Sequence, residues 1–247
     1  MQGSLLAALA AAAFLAGPFV ATAGPLHDAA KKGDLRQMEQ LVAAGADLGE
    51  QDTLGTPLHH AVAGGRTEAA RLLIEAGADV DAASPAVGTP PLHLALRKQD
   101  EAALLLLLAA KADPDATDAA GNTPLHLAAE AGSARLAAPL LERGAAVDVP
   151  DGTRGTPLRE AAFRGYPDVV TLLVEHGAGL EARDEWGQAP LHVAAVGDRI
   201  DVIRYLVDRG ADINAREVNQ RTPLDDAVIL HGAFEAEALL RSLGGTK

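Results

Sequence analysis

The sequence predicts an all-α solenoid of about seven stacked helix-turn-helix repeats, and three observations lead there. The first is a recurring phrase, Thr-Pro-Leu-His. It is complete at Thr56-Pro57-Leu58-His59 and Thr123-Pro124-Leu125-His126, and carries an inserted proline at Thr89-Pro90-Pro91-Leu92-His93. It is varied at Thr156-Pro157-Leu158, Ala189-Pro190-Leu191-His192 and Thr222-Pro223-Leu224. The second is its period: the leucines at 26, 58, 92, 125, 158, 191 and 224 are spaced by 32, 34, 33, 33, 33 and 33 residues. The third is a phase-locked second register, Gly45-Ala46-Asp47, Gly77-Ala78-Asp79, Gly144-Ala145, Gly177-Ala178 and Gly210-Ala211-Asp212. A Leu pair such as Leu72-Leu73 or Leu172-Leu173 precedes it. A fixed period of this size marks a stacked array, whose single units cannot bury their own apolar faces.

Local chemistry agrees. Proline is tolerated in a first helical turn and a preceding Thr can cap it, so Thr-Pro opens the first helix of each unit. Glycine after the Leu pair supplies the left-handed residue that closes the second. On these motifs the chain resembles the ankyrin repeat family, over roughly residues 24 to 247. The resemblance implies an ankyrin-repeat solenoid with projecting loops or β-hairpins. Its repeats fall at approximately 24–49, 50–82, 83–116, 117–149, 150–182, 183–215 and 216–247. It also implies a concave groove of first helices and loop tips that binds partner proteins.

Taken in order, residues 1–23 read as an export signal. The apolar run Leu5 to Ala16 is too short to span a bilayer comfortably, and Gly17-Pro18 breaks it. Ala21-Thr22-Ala23 offers a small-x-small cleavage site after Ala23. The n-region has no Lys or Arg, which keeps an uncleaved inner-membrane anchor as an alternative. Repeat one begins directly with its first helix at Gly24-Pro25-Leu26-His27, as a terminal cap should.

Repeat three departs most from the pattern. Pro90 replaces the capping Thr, and Lys111 stands where other repeats have Gly, so either the left-handed residue is lost or strain of roughly 1 kcal/mol is accepted. Five consecutive leucines, Leu104 to Leu108, cannot all face neighbours, and Leu105 is the one expected outside. In repeat four, Pro139 lies past the first turn of the second helix and predicts a kink or a late start. Repeat five has Arg159 in the His place and opens its second helix at Tyr166-Pro167. Repeat seven exchanges Gly and His for Gln220 and Asp225, and its polar Asp225-Asp226 suits a C-terminal cap.

Composition narrows the function. The net charge is −13, all of it outside residues 1–23, which disfavours nucleic acid and leaves a basic protein as a fitting partner. There is no Cys, which removes thiol catalysis and Cys-ligated zinc. His27, His59, His93, His126 and His192 share one repeat position, so stacking sets them roughly 10 Å apart, beyond one metal's ligand shell. The resemblance to ankyrin repeats implies that they bond within the turns between repeats, while the adjacent His59 and His60 should point apart. His176 and His231 sit near helix ends, where a cation favours the dipole. Paired carboxylates such as Asp79/Asp81 and Asp113/Asp115, and Asp118, read as turn caps. Phosphate-loop and Gly-x-Ser-x-Gly patterns do not occur.

The function expected is therefore a non-catalytic, monomeric protein-interaction module without cofactor or metal, exported to the periplasm or secreted. It would serve as an accessory, immunity or inhibitor protein. A membrane-tethered scaffold, a cytoplasmic adaptor, and an enzyme or metal binder are the alternatives. Large aromatics and Arg dominate binding energy, so the candidate partner-binding residues are Phe163, Arg164, Tyr166 and Trp186. The corresponding positions in other repeats add Arg97, Lys98, Glu130, Asn219 and Arg221.

Overall fold

The computed structural model describes residues 24–229 and 233–247; the expected export segment and His231 lie outside them. Fourteen helices are found there, in seven pairs, and no strand is present among the described residues. The first helices of the pairs are α1 (Pro25–Lys32), α3 (Pro57–Ala63), α5 (Pro91–Arg97), α7 (Pro124–Glu130), α9 (Pro157–Arg164), α11 (Pro190–Val196) and α13 (Pro223–Ile229). Each starts on the proline of the recurring phrase. The second helices are α2 (Leu35–Ala43), α4 (Thr67–Glu75), α6 (Glu101–Ala109), α8 (Ala134–Glu142), α10 (Pro167–Glu175), α12 (Ile200–Asp208) and α14 (Phe234–Ser242). First helices pack on first helices and second on second, giving two parallel rows. The seven repeating leucines are all buried between the rows.

The projecting segments are tight loops rather than β-hairpins. Each carries one backbone bond across its base, such as Asp118 N–H to Asn122 O at 3.0 Å and Asp184 N–H to Gln188 O at 3.2 Å. Successive tips are joined by single bonds, Gly152 N–H to Ala120 O at 2.9 Å and Glu185 N–H to Thr153 O at 2.9 Å. Gly121, at φ +81°, lies so near this junction that a Cβ there would meet the Gly152 nitrogen at 2.8 Å.

Repeat three holds its expected irregularities. Lys111 adopts φ +66°, so the strained choice is taken, and Leu105 is exposed. Pro139 does not delay its helix. Ser133 caps α8 by accepting from Leu136 N–H, and the helix runs nine residues through Pro139, as long as its counterparts. The Ser cap fixes the start, so only one ladder bond is lost to the ring.

Candidate partner-binding face

The recurring histidine ties each repeat to the next. In α3 and α7 its Nδ1 accepts the N–H of Thr56 or Thr123 at 3.1 Å. Its Nε2 donates to a carbonyl of the following loop, Thr89 at 3.0 Å and Gly155 at 3.1 Å. A backbone N–H can only donate and a carbonyl only accept, so both contacts fix the neutral Nε2–H tautomer. Burial pushes His59, His93, His126 and His192 below the ordinary imidazole range, although the carbonyl bonds oppose the shift.

The two departures from His are chemically consistent. Arg159 bridges onward by another route, its Nε donating to Asp184 of the next loop at 2.7 Å. Asp225 keeps the acceptor function alone and takes the Thr222 N–H at 3.0 Å.

Loop carboxylates do the complementary work. Oδ1 of Asp118 accepts from Ala120 and Asn122 N–H, and Oδ1 of Asp184 from Trp186 and Gln188 N–H. These bonds and the partly balancing burial leave Asp118 below the usual carboxylate range. The paired carboxylates cap turns as expected, with Asp79 accepting from Asp81 N–H and Asp113 from Asp115 N–H. They also cross-link repeats: Asp81 accepts from Asp113 N–H and Asp115 from Ala146 N–H. His176 caps α10, its Nδ1 donating to Leu172 O at 2.8 Å.

On this framework the first helices and loops form two adjoining depressions. One, of ≈ 410 Å³, is lined by Arg97, Glu130 and Arg164 of three successive first helices, with Leu96, Gln99 and Leu127. Arg164 pairs with Glu130 at 2.8 Å and with Glu160, and Arg97 with the buried Asp118 at 2.9 Å. The other, of ≈ 280 Å³, is lined by Phe163 and Arg221 together with Arg159, Gln188, Asp226 and Ile229. Trp186 stands beside it, 49% exposed, with the Arg159 guanidinium 5.8 Å from its ring centroid.

Six of the nine sequence-selected residues thus gather at these depressions. Lys98 is instead the exposed cap of α5, Tyr166 is half-buried over Gly132, and Asn219 bonds the Glu217 of its own loop at 3.2 Å. Sequence reasoning missed Arg159, Gln188, Asp226 and Ile229, although the replacement of His by Arg159 was a visible signal. Asp226 is not a solvated cap residue. It is buried beneath Arg221 at 3.2 Å, and burial pushes its carboxyl up against the lowering effect of that arginine.

The first helices carry five acidic and five basic side chains and are balanced, while the second helices carry eleven acidic and five basic. The rest of the negative charge lies in the loops between helices, so the acidity is shared by the opposite row and the loops rather than by the first-helix floor.

His59 and His60 take different partners, as expected of adjacent helical positions: His60 donates from Nε2 to Asp52 Oδ2 at 2.8 Å, and its ring meets His27 edge to face at 5.1 Å between centroids. Its register is one that Leu94, Leu127 and Val193 hold in other repeats.

Comparison with known proteins follows the same geometry. A family model described as ankyrin repeats (3 copies) matches residues 26–118, 99–184 and 158–245. Among solved structures, the ankyrin repeat domain of Bcl-3, a member of the IkappaB protein family, is 31% identical with a TM-score of 0.79. That match covers 89% of this chain and 98% of the other. The human ASB11 ankyrin repeat domain is 30% identical with a TM-score of 0.76, covering 91% and 100%. The search of curated proteins gives no match.

Proposed function

Because the chain belongs to the ankyrin repeat family, we propose that it binds a partner protein through the first-helix face and loop tips of repeats three to seven, without catalysing a reaction. Ankyrin repeats generally mediate protein–protein interaction, and such domains are typically non-catalytic. One observation carries the reading to this face: Arg97, Glu130 and Arg164, far apart in sequence, line one depression beside a second that holds Phe163 and Arg221. Exposed aromatics and arginines over such hollows are the groups that supply most binding energy.

Phe163 and Trp186 are exposed, so truncating them leaves the fold intact. The test is capture of partners by the purified protein from its native extract, quantified against Phe163→Ala/Trp186→Ala and against Leu105→Ala on the opposite row. Loss of a partner with the double variant alone supports the face. Equal recovery by all three removes it.

The reading extends to location. The apolar run ending in Ala21-Thr22-Ala23 supports export and release after Ala23, so the protein would work in the periplasm or outside the cell as an accessory or inhibitor of its partner. Among the described residues no helix is long and apolar enough to cross a membrane. N-terminal sequencing of the native protein should begin at Gly24; an intact Met1 in a membrane fraction would instead make it a tethered scaffold.

A further inference from the structure

We propose that the partner seats a lysine or arginine side chain in the ≈ 280 Å³ depression of repeats five to seven, its aliphatic stem along Phe163, Val196 and Ile229 and its cationic head at Asp226. The inference rests on the partner-binding reading above and names the chemistry that the same face would recognise. The three apolar residues share one register, 33 positions apart, on α9, α11 and α13. Phe163 and Ile229 are exposed, so they offer an apolar wall to a ligand. The methylene stem of a basic side chain buries on such a wall, and the aromatic face also attracts its charge.

Charge specifies the head group. Arg164 meets two carboxylates, Glu130 and Glu160, and Arg221 meets two more, Glu217 and Asp226. Arg97 and Arg159 have one each, Asp118 and Asp184. Among the charged residues that line the two depressions and their ion partners, four arginines thus face six carboxylates. The carboxylates bonded to Arg164 and Arg221 hold both guanidiniums above their usual value. An acidic or phosphorylated partner would be repelled by this surplus, whereas a basic one complements it.

Asp226 supplies an independent observation. It is only 3% exposed and lines the depression, yet its carboxylate takes one hydrogen bond from the protein, from Gln188 Nε2 at 3.5 Å, at the far limit of such bonds. Nε of Arg221 lies 3.2 Å from Asp226 Oδ1, but its single N–H is already given to Glu217 at 2.9 Å. A buried carboxylate ordinarily accepts several directed bonds. Burial, with Glu217 and Asp225 close by, pushes this carboxyl up, as befits an ion short of counter-charge. A lysine ammonium or arginine fork brings the missing donors together with the charge.

Trp186 is the chain's single tryptophan and stands beside the depression, so its fluorescence reports occupancy there. The experiment titrates the purified protein at low salt with an N-acetylated, amidated hexalysine peptide, read by calorimetry and by that fluorescence. The same peptide with every Nε acetylated, and hexaglutamate, are run alongside. The expected result is saturable binding of hexalysine alone, with a change at Trp186. Asp226→Asn keeps an acceptor for Gln188 and removes a charge that burial disfavours, so it should fold and weaken hexalysine binding at least about fivefold. Ile229→Ala alters an exposed side chain, so it folds in any case, and it should weaken binding through the stem. Glu142→Gln, exposed on the opposite row, should change binding less than about twofold. The proposal is overturned by no saturable binding, by equal binding of the Nε-acetylated peptide, or by equal effects of Asp226→Asn and Glu142→Gln. If Phe163→Ala/Trp186→Ala loses a partner while Asp226→Asn binds hexalysine as the parent does, the face stands and this assignment falls.

Discussion

Pro90 leaves the buried Nδ1 of His93 without a donor. At the equivalent places Thr56 and Thr123 supply both a backbone N–H and a hydroxyl to the imidazole, at 3.1 and 2.8 Å and at 3.1 and 2.9 Å. Proline has no N–H to give. The other end of His93 is intact, its Nε2 donating to Asn122 O at 2.8 Å. Pro90 has φ −69° and ψ 158°, close to the −77° and 168° of Thr56, so Pro90→Thr should fit without backbone movement. Restoring the bond is worth about 1–3 kcal/mol, less up to about 1 kcal/mol for the looser unfolded chain. Urea unfolding should show a net gain near 1 kcal/mol; a loss would mean that His93 is satisfied in some other way.

Lys111 poses a backbone problem rather than a hydrogen-bonding one. It sits at φ +66°, where Gly45, Gly77, Gly144, Gly177 and Gly210 stand in other repeats, and a Cβ at any of those glycines would meet nothing within 4 Å. The penalty is therefore conformational and not steric crowding by neighbours. Lys111→Gly should raise stability by about 0.5–1 kcal/mol. The two substitutions act on different groups, a buried imidazole bond and a backbone angle, so their gains should add in the double variant, which the same unfolding measurement reads.

Acid should unfold this protein earlier than its carboxylates alone would dictate. Burial holds His59, His93, His126 and His192 below the ordinary value of about 6.5. In the folded chain they stay neutral, while the unfolded chain takes up protons once pH falls below about 6.5. The stability they confer is thus complete above that value and declines as pH drops through it, by up to about 1.4 kcal/mol per pH unit for each imidazole. Carboxylates held low, such as Asp52 and Asp118, add their losses only in the usual carboxylate range and below. Unfolding midpoints at pH 7.5, 6.5 and 5.5 should fall steadily below 6.5; a flat profile down to pH 4.5 would contradict the buried neutral clamps.

The recurring phrase made most of the fold legible, because proline fixes where a first helix starts whatever surrounds it. Leu105, Lys111 and the Tyr166-Pro167 start could likewise be read from local rules. Pro139 could not, since its outcome depended on Ser133 capping six residues earlier. The depressions were legible in part. A period of about 33 residues places Glu130 beside Arg164, 34 residues away, and that register can be counted. The pairing of His60 with Asp52 depends on the path of the loop, which no spacing reveals, whereas Asp226 shares the buried register of Leu127 and Val193 and could have been counted.

Arg159 offers the sharpest contrast between a buried and an exposed ion pair. Its Nε meets Asp184 at 2.7 Å, and the Asp184 side chain is fully buried. The comparable exposed pair, Arg135 with Glu101, has the same 2.7 Å separation but lies largely in water. Arg159→Ala strands a buried carboxylate whose Oδ1 is already committed to two loop amides, so it should destabilise by about 3–5 kcal/mol. Arg135→Ala should change stability by less than about 1 kcal/mol. Adding Asp184→Asn to Arg159→Ala removes the stranded charge while keeping an acceptor for the amides, and should recover a large part of the loss. If Arg159→Ala were as mild as Arg135→Ala, the link between repeats five and six would rest on apolar packing and on backbone bonds such as Glu185 N–H to Thr153 O, and Arg159 would be free to serve the partner-binding depression that it lines.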